Sequence, residues 1–281
     1  MANLLLHSLA EFDEIIFALL GRVRPTSILE IGSETGVYSD RLFGFCEDVG
    51  AELVTVEPSP SLHLVERALT SERFHLYEGT SLAYLEDPGC RSEVALIDGD
   101  HNYFTVYNEL SLIASAWTSR AIDGVALLHD VGWPCARRDA YYDPSSLPFV
   151  VMHPHSFELG VSPGSAALVK GGFRGEGAFA WALHEGGPRN GVLTAVEDFL
   201  REHPEFEYRQ IDAVFGLGAI ARRDGAAARH VAEVFAPYDN ALTRRMERNR
   251  LDLWLKVIEL QDTLRLPTPA LTVTPRLGVA S

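Results

Sequence analysis

The sequence predicts a doubly wound α/β fold built on a largely parallel sheet. Three observations carry this. Short apolar runs bounded by turn-forming residues recur between Ile28 and Leu128, and helical repeats alternate with them. The first run, Ile28-Leu29-Glu30-Ile31, passes through Gly32-Ser33-Glu34-Thr35-Gly36 into a helical pattern. Such a strand–loop–helix unit leaves free amides at the helix start, where a ligand can be held. Lastly, the apolar runs end on polar residues, and a parallel sheet gathers such ends along one edge.

Composition narrows the class. The chain has 281 residues, 47% hydrophobic and 22% charged, enough for one large α/β domain with appendages. Lys+Arg 24 against Asp+Glu 39 leaves a net charge of −15, which argues against a nucleic-acid partner and suits a cationic small ligand. Cys46, Cys90 and Cys135 form no C-x-x-C pair, so a zinc site of that kind is not expected, and sparse cysteines suit a reducing cytoplasm. The run Asn3-Leu4-Leu5-Leu6 is too short for a secretory signal and lacks a basic flank. No apolar run approaches about 20 residues, so neither a membrane span nor a membrane partner is expected.

In chain order, Leu9, Phe12, Ile15, Ile16, Leu19 and Leu20 form the stripe of an amphipathic helix within an N-terminal segment, 1–24. After the glycine loop, Val37, Leu42, Phe43, Phe45 and Cys46 mark a second helix. Ala51 to Pro58 reads as a second strand ending on Glu57, about 20 residues past the glycine loop. An acid there can accept from both hydroxyls of a ribose, or simply sit in solvent. Arg73 to Tyr77 is the third strand, followed by Gly79-Thr80-Ser81 and a short helix from Leu82. Glu93 to Asp98 is the fourth strand, leading into Gly99-Asp100-His101-Asn102-Tyr103 and a helix to Trp117 whose buried face carries Tyr107, Leu110, Ile113 and Ala114. The fifth strand, Val125 to Leu128, ends at His129-Asp130.

Beyond Val131 the alternation breaks. Residues 131–191 are rich in turn formers and aromatics and follow the fifth strand directly, so they read as a cap over the sheet edge that would take the second substrate. Gly171-Gly172-Phe173 and Gly175-Glu176-Gly177 read as turns or hinges in it. A helix from Val192 precedes two strands, Phe206–Ile211 and Val214–Ile220, joined at Asp212-Ala213. A helical extension, 222–265, carries a long amphipathic helix from Arg244 to Leu264 that can pack on its own domain or support a homodimer. The proline-containing tail 266–281 is expected to be disordered.

The E-x-G-x-x-x-G run of Glu30, Gly32 and Gly36, the I-D-G-D-H-x-Y run from Ile97 to Tyr103 and the strand end His129-Asp130 resemble the class I S-adenosylmethionine-dependent methyltransferases, in a subgroup with many small-molecule O-methyltransferases. The resemblance covers about residues 9–130 closely and the terminal strand pair loosely. It implies a Rossmann-like, seven-stranded, mostly parallel sheet closed by an antiparallel hairpin, over 25–221. It also implies S-adenosylmethionine bound by Glu30, Gly32, Ser33, Gly36, Tyr38, Glu57, Pro58, Thr80, Ser81, Asp98, Gly99, Asp100 and His101. Thr80 and Ser81 can instead, or in addition, cap the helix that follows them.

Methyl transfer to a hydroxyl needs alignment, plus a base or a metal that removes the proton. Asp98, His129 and Asp130 end neighbouring strands and can bind Mg2+ or another divalent cation. His101 or His129 can serve as the base, with Asp98 beside them. The resembled metal-dependent enzymes place acids at the positions of Asp98 and Asp130, with a further Asp or Asn nearby; His129 departs from that pattern. The same fold could also use its cofactor or metal site for hydroxylase-like or cyclase chemistry. A nicotinamide enzyme fits less well, since G-x-G-x-x-G and Tyr-x-x-x-Lys are both missing.

Overall fold

The computed structural model describes residues 5–87 and 91–264. The expectations for Cys90, for Asn3 and Leu4 and for the tail 266–281 fall outside them. A 3-10 turn, Leu9–Phe12, leads into α1 (Asp13–Val23). There follow β1 (Ser27–Ile31), α2 (Val37–Val49), β2 (Glu52–Glu57), α3 (Leu62–Thr70), β3 (Phe74–Glu78), α4 (Ser81–Leu85), β4 (Val94–Ile97), α5 (Tyr103–Arg120) and β5 (Val125–His129). The cap holds β6 (Ala140–Tyr141), β7 (His155–Ser156) and β8 (Ala180–Ala182). Then come α6 (Val192–Glu202), β9 (Phe206–Ile211), β10 (Leu217–Arg222), α7 (Ala226–Phe235) and α8 (Ala241–Leu264).

The main sheet has seven strands in the order β3-β2-β1-β4-β5-β10-β9. β1 to β5 pair in parallel, and β10 runs antiparallel to both β5 and β9. The order reverses between β1 and β4, the switch point where ligands bind in such sheets. The strands read as continuous apolar runs because both faces are covered. Ile28, Leu53, Leu96 and Leu127 pack with α1 and α2, while Leu29, Ile31, Ala95, Ile97 and Leu128 pack with α5 and α6. Leu96 and Leu127 are fully buried, so truncating either to Ala would cost about 2–5 kcal/mol. Among the described residues, no helix is long and apolar enough to cross a membrane.

Four local differences from the sequence reading have physical causes. α3 escapes that reading because its apolar residues do not mark a buried face: Leu62 and Leu69 are 72% and 81% exposed and only Leu64 is buried. On α5 the buried face is Val106, Leu110, Ile113, Ala114 and Trp117, with Glu109 among them. Tyr107 instead stacks on Tyr103 and donates to Glu202 Oε2 at 2.6 Å. β10 starts at Leu217 rather than Val214. Val214, Phe215 and Gly216 all have positive φ (46°, 65° and 93°), which no strand tolerates. Glu247 of α8 holds that turn by accepting the amides of Val214 and Phe215 at 3.0 and 3.1 Å. The cap, read as loop and turns, also forms a small antiparallel sheet, β6-β8-β7. Buried Arg138 braces it by donating to the carbonyls of Ala182 and Ala166.

Candidate active site

The site is built where β1, β2, β4 and β5 end. Gly32 has φ +83°, and a Cβ there would lie 2.3 Å from the carbonyl oxygen of Asp98. Only glycine lets β1 turn this tightly against β4. Its amide still donates to Val56 O at 3.0 Å, so the loop leaves the sheet at a fixed place. Gly36, φ +83°, is the N-cap of α2 and lies against Leu64.

Glu57 ties this loop to the end of β2. Its Oε2 accepts from the amides of Ser33 and Glu34 at 3.1 and 3.3 Å and from Ser33 Oγ at 3.4 Å. Its Oε1 accepts from the Ser59 amide at 3.0 Å, across Pro58. A carboxylate offers about four lone-pair sites, so ribose hydroxyls would have to share or displace these amides. Tyr38, in the first turn of α2, has a buried hydroxyl with no hydrogen-bond partner among the described residues, and burial raises its pKa.

Glu30 lies beneath the rim rather than on it. It is 2% exposed and accepts from Thr55 Oγ1 at 2.8 Å. Burial lifts its pKa to about 7, with Asp98 and Glu57 adding to the rise and the hydroxyls of Ser39 and Thr55 opposing it. Any contribution to ligand binding is therefore indirect, through the loop above it.

Two acids and two imidazoles meet at the ends of β4 and β5. His129 Nδ1 lies 3.0 Å from Asp98 Oδ1 and 3.3 Å from Asp130 Oδ2. His101 Nε2 lies 3.4 Å from Asp98 Oδ1 and 3.0 Å from Asp130 Oδ2. Asp130 has φ +59°, a left-handed turn that Asp tolerates better than most residues and that brings its carboxylate to both rings. His129 Nε2 donates to the Val214 carbonyl at 2.9 Å, which assigns its proton and leaves Nδ1 facing the two carboxylates. A lone pair between two anionic oxygens requires a positive charge, either a proton on the ring or a cation among the three atoms. One ligand atom from each of Asp98, His129 and Asp130 lies within 4.8 Å of the others, so the donor set fits a divalent ion.

The electrostatics agree with the geometry. Burial opposes charge on all four groups, but the mutual pairing outweighs it. His129 is held well above its usual value by Asp130 and Asp98, and His101 rises to about 10. Asp98 and Asp130 are correspondingly held low by the imidazoles. The two rings differ in access: the His129 side chain is 1% exposed and the His101 side chain 11%. Tyr142 of the cap lies 5.7 Å from the His101 ring, centroid to centroid.

Around this cluster, Asp100 Oδ2 accepts from Asn102 Nδ2 at 2.5 Å and Thr105 Oγ1 at 3.3 Å, fixing the start of α5. Gly99 packs on Ile31, and Thr80 caps α4 by accepting from the Ala83 amide at 3.3 Å. Ser81 is buried in the first turn of α4. Sequence reasoning missed Glu109, which is fully buried, with neither carboxyl oxygen in a well-formed hydrogen bond among the described residues. Burial raises its pKa to about 8, opposed in part by the nearby Ser81 hydroxyl. An acid at i+3 from Val106 and i−4 from Ile113, inside the apolar stripe of α5, was the available signal. Sequence reasoning also missed the Val214 carbonyl and Glu247, which the linear order gives no reason to place beside His129.

A family model described as a methyltransferase domain matches residues 29–131. A search of curated proteins finds no match. Similar solved structures include the methyltransferase PaMTH1 from Podospora anserina, bound to SAH, at 17% identity over 77% of this chain and 80% of that chain, TM-score 0.44. Another is the O-methyltransferase TomG from Streptomyces achromogenes, in complex with SAM, at 14% identity over 77% of this chain and 82% of that chain, TM-score 0.40. The matched residues run from β1 to the turn after β5, and so contain the glycine loop, Glu57 and all four members of the carboxylate–imidazole cluster. By that match, residues 29–131 of the chain form a methyltransferase domain.

Proposed function

We propose that this protein moves a methyl group from S-adenosylmethionine to a hydroxyl of a small molecule, with a divalent cation assisting. One observation carries the reading: Asp98, His129 and Asp130 converge within 4.8 Å, one sheet position from the glycine loop of β1. The proposed cofactor site is the loop Gly32, Ser33, Gly36 and Tyr38, then Glu57 and Pro58 toward the ribose. Thr80, Ser81, Gly99 and Asp100 lie toward the base, and Asp98 and His101 toward the sulfonium.

Each side chain then has a task. Asp98, His129 and Asp130 would hold the cation, which supplies Lewis acidity that lowers the pKa of an acceptor hydroxyl and shares the carboxylate charge that now keeps His101 protonated. His101 is the better placed base, because His129 is locked to Val214 O and almost wholly buried. The cap covers the edge, and Tyr142 beside His101 gives the acceptor an aromatic wall. Alignment of donor and acceptor can contribute roughly 7–11 kcal/mol of barrier lowering.

Incubation with S-adenosylmethionine, Mg2+ or Mn2+ and a panel of phenols and aliphatic alcohols tests this. The expected product is heavier by one methyl group, with S-adenosylhomocysteine released. An oxygenated or unchanged product mass, with the cofactor consumed or recovered intact, would overturn it in favour of non-methylating chemistry on the same fold.

A further inference from the structure

We propose that α8 is the contact of a two-fold dimer in which the helices of two copies pair antiparallel. This rests on the outward face of α8 and is independent of the chemistry at the sheet edge.

α8 has 24 residues, about 36 Å of helix. One side packs on the protein: Leu251 and Ile258 are buried, Arg250 lies over the Phe215 ring, and Asp262 pairs with Arg174 of the cap. The opposite side is apolar and exposed. Leu242, Met246, Leu253, Leu260 and Leu264 are 67%, 63%, 60%, 51% and 64% exposed. At 3.6 residues per turn all five fall within about 20° of one line along the helix. Five large apolar side chains exposed along one line, with exposed Asn249 and Lys256 beside it, mark an interaction site.

The seam has a symmetry that selects its occupant. Leu253 stands at its centre. Met246 and Leu260 lie equally far before and after it, and so do Leu242 and Leu264. Turning the helix end for end about Leu253 maps the seam onto itself, as an isologous two-fold contact requires. In an antiparallel pair, Leu253 meets Leu253 of the second copy, Met246 meets Leu260, and Leu242 meets Leu264.

Charge follows the same symmetry. The first half of α8 carries Arg244, Arg245, Arg248 and Arg250 against Glu247 and Asp252 and is net basic, and the second half carries Glu259 and Asp262 against Lys256 and is net acidic. Exposed Arg245 and exposed Glu259 lie on the same flank of the seam, on opposite sides of Leu253. An antiparallel pairing sets Arg245 of each copy near Glu259 of the other. A parallel pairing would keep Arg245 of each copy at the level of the basic half of the other, away from Glu259. α8 also reaches the sheet edge through Glu247, which holds the Val214–Phe215 turn and so the carbonyl that fixes His129.

Sedimentation velocity of the full chain across a concentration series tests this, with far-UV circular dichroism as a check on folding. The expected wild-type species is a dimer. Leu253→Glu, which puts two acids at the centre of the seam, should weaken it by roughly 100-fold or more with helix content retained. Arg245→Glu and Glu259→Arg should each weaken it by roughly 10-fold, and the double variant should restore wild-type affinity. A monomeric wild type would overturn the proposal; the seam would then be covered by another part of the chain or by a different protein. A dimer indifferent to Leu253→Glu would also overturn it. Failure of the double variant to restore affinity would overturn the antiparallel pairing.

Discussion

Replacing Glu30 with glutamine isolates the energetic cost of a charge beneath the glycine loop. Glu30 is 2% exposed, and its folded pKa of about 7 stands above the ordinary value of 4.5. The folded state therefore keeps a proton that the unfolded chain releases. Stability linked to this group is full below the unfolded value and falls as pH rises toward the folded one. Above both values the cost reaches about 3 kcal/mol, since each tenfold change in proton affinity is worth about 1.36 kcal/mol. The glutamine of E30Q cannot ionise, and its amide can keep a hydrogen bond with Thr55 if that hydroxyl rotates. The difference in stability between E30Q and wild type should grow from under about 1 kcal/mol at pH 5 to about 3 kcal/mol at pH 8. For a chain of this size that is a gain of roughly 5–10 °C in Tm at the higher pH. Differential scanning calorimetry of both proteins across the pH range measures it. Any constant offset from the amide cancels, since only the pH dependence is read. Parallel curves, or an advantage for E30Q that shrinks as pH rises, would refute a buried, neutralised carboxyl at this position.

Further substitutions probe the rim. Glu57→Ala frees the Ser33 and Glu34 amides and removes the ribose acceptor, so S-adenosylhomocysteine affinity should fall by roughly 10- to 100-fold by calorimetry. Asp130→Asn should abolish the rise in Tm that Mn2+ gives the wild type, as read by thermal shift with and without EDTA. Gly32→Ala forces a Cβ to within 2.3 Å of the Asp98 carbonyl at a positive φ and should lower stability by at least about 2 kcal/mol in urea unfolding. Glu247→Ala releases the turn whose carbonyl fixes His129, so kcat should fall with the cofactor Kd little changed.

The strands of the main sheet were legible because their apolar runs are closed by turn formers, and the parallel arrangement then requires Glu57, Asp98 and Asp130 to end along one edge. Glu30 was legible as an acid inside β1 but not as a buried one. Its depth depends on Thr55 and on the cover of α2, which periodicity cannot supply. The Val214–Phe215 turn reads as strand in the sequence because its residues favour strands, and a glutamate more than thirty positions away overrides that preference. Likewise, the seam of α8 was visible as amphipathic, but the side facing the protein depends on Phe215 and Arg174, distant in the chain.

Calorimetric titration of the full chain with S-adenosylhomocysteine, in wild type and in Glu57→Ala, bears most directly on whether the edge of β1, β2 and β4 holds a nucleoside. The expected result is one molecule bound per chain, with affinity markedly reduced in the variant. Absence of binding to the wild type, or equal binding by both, would contradict it.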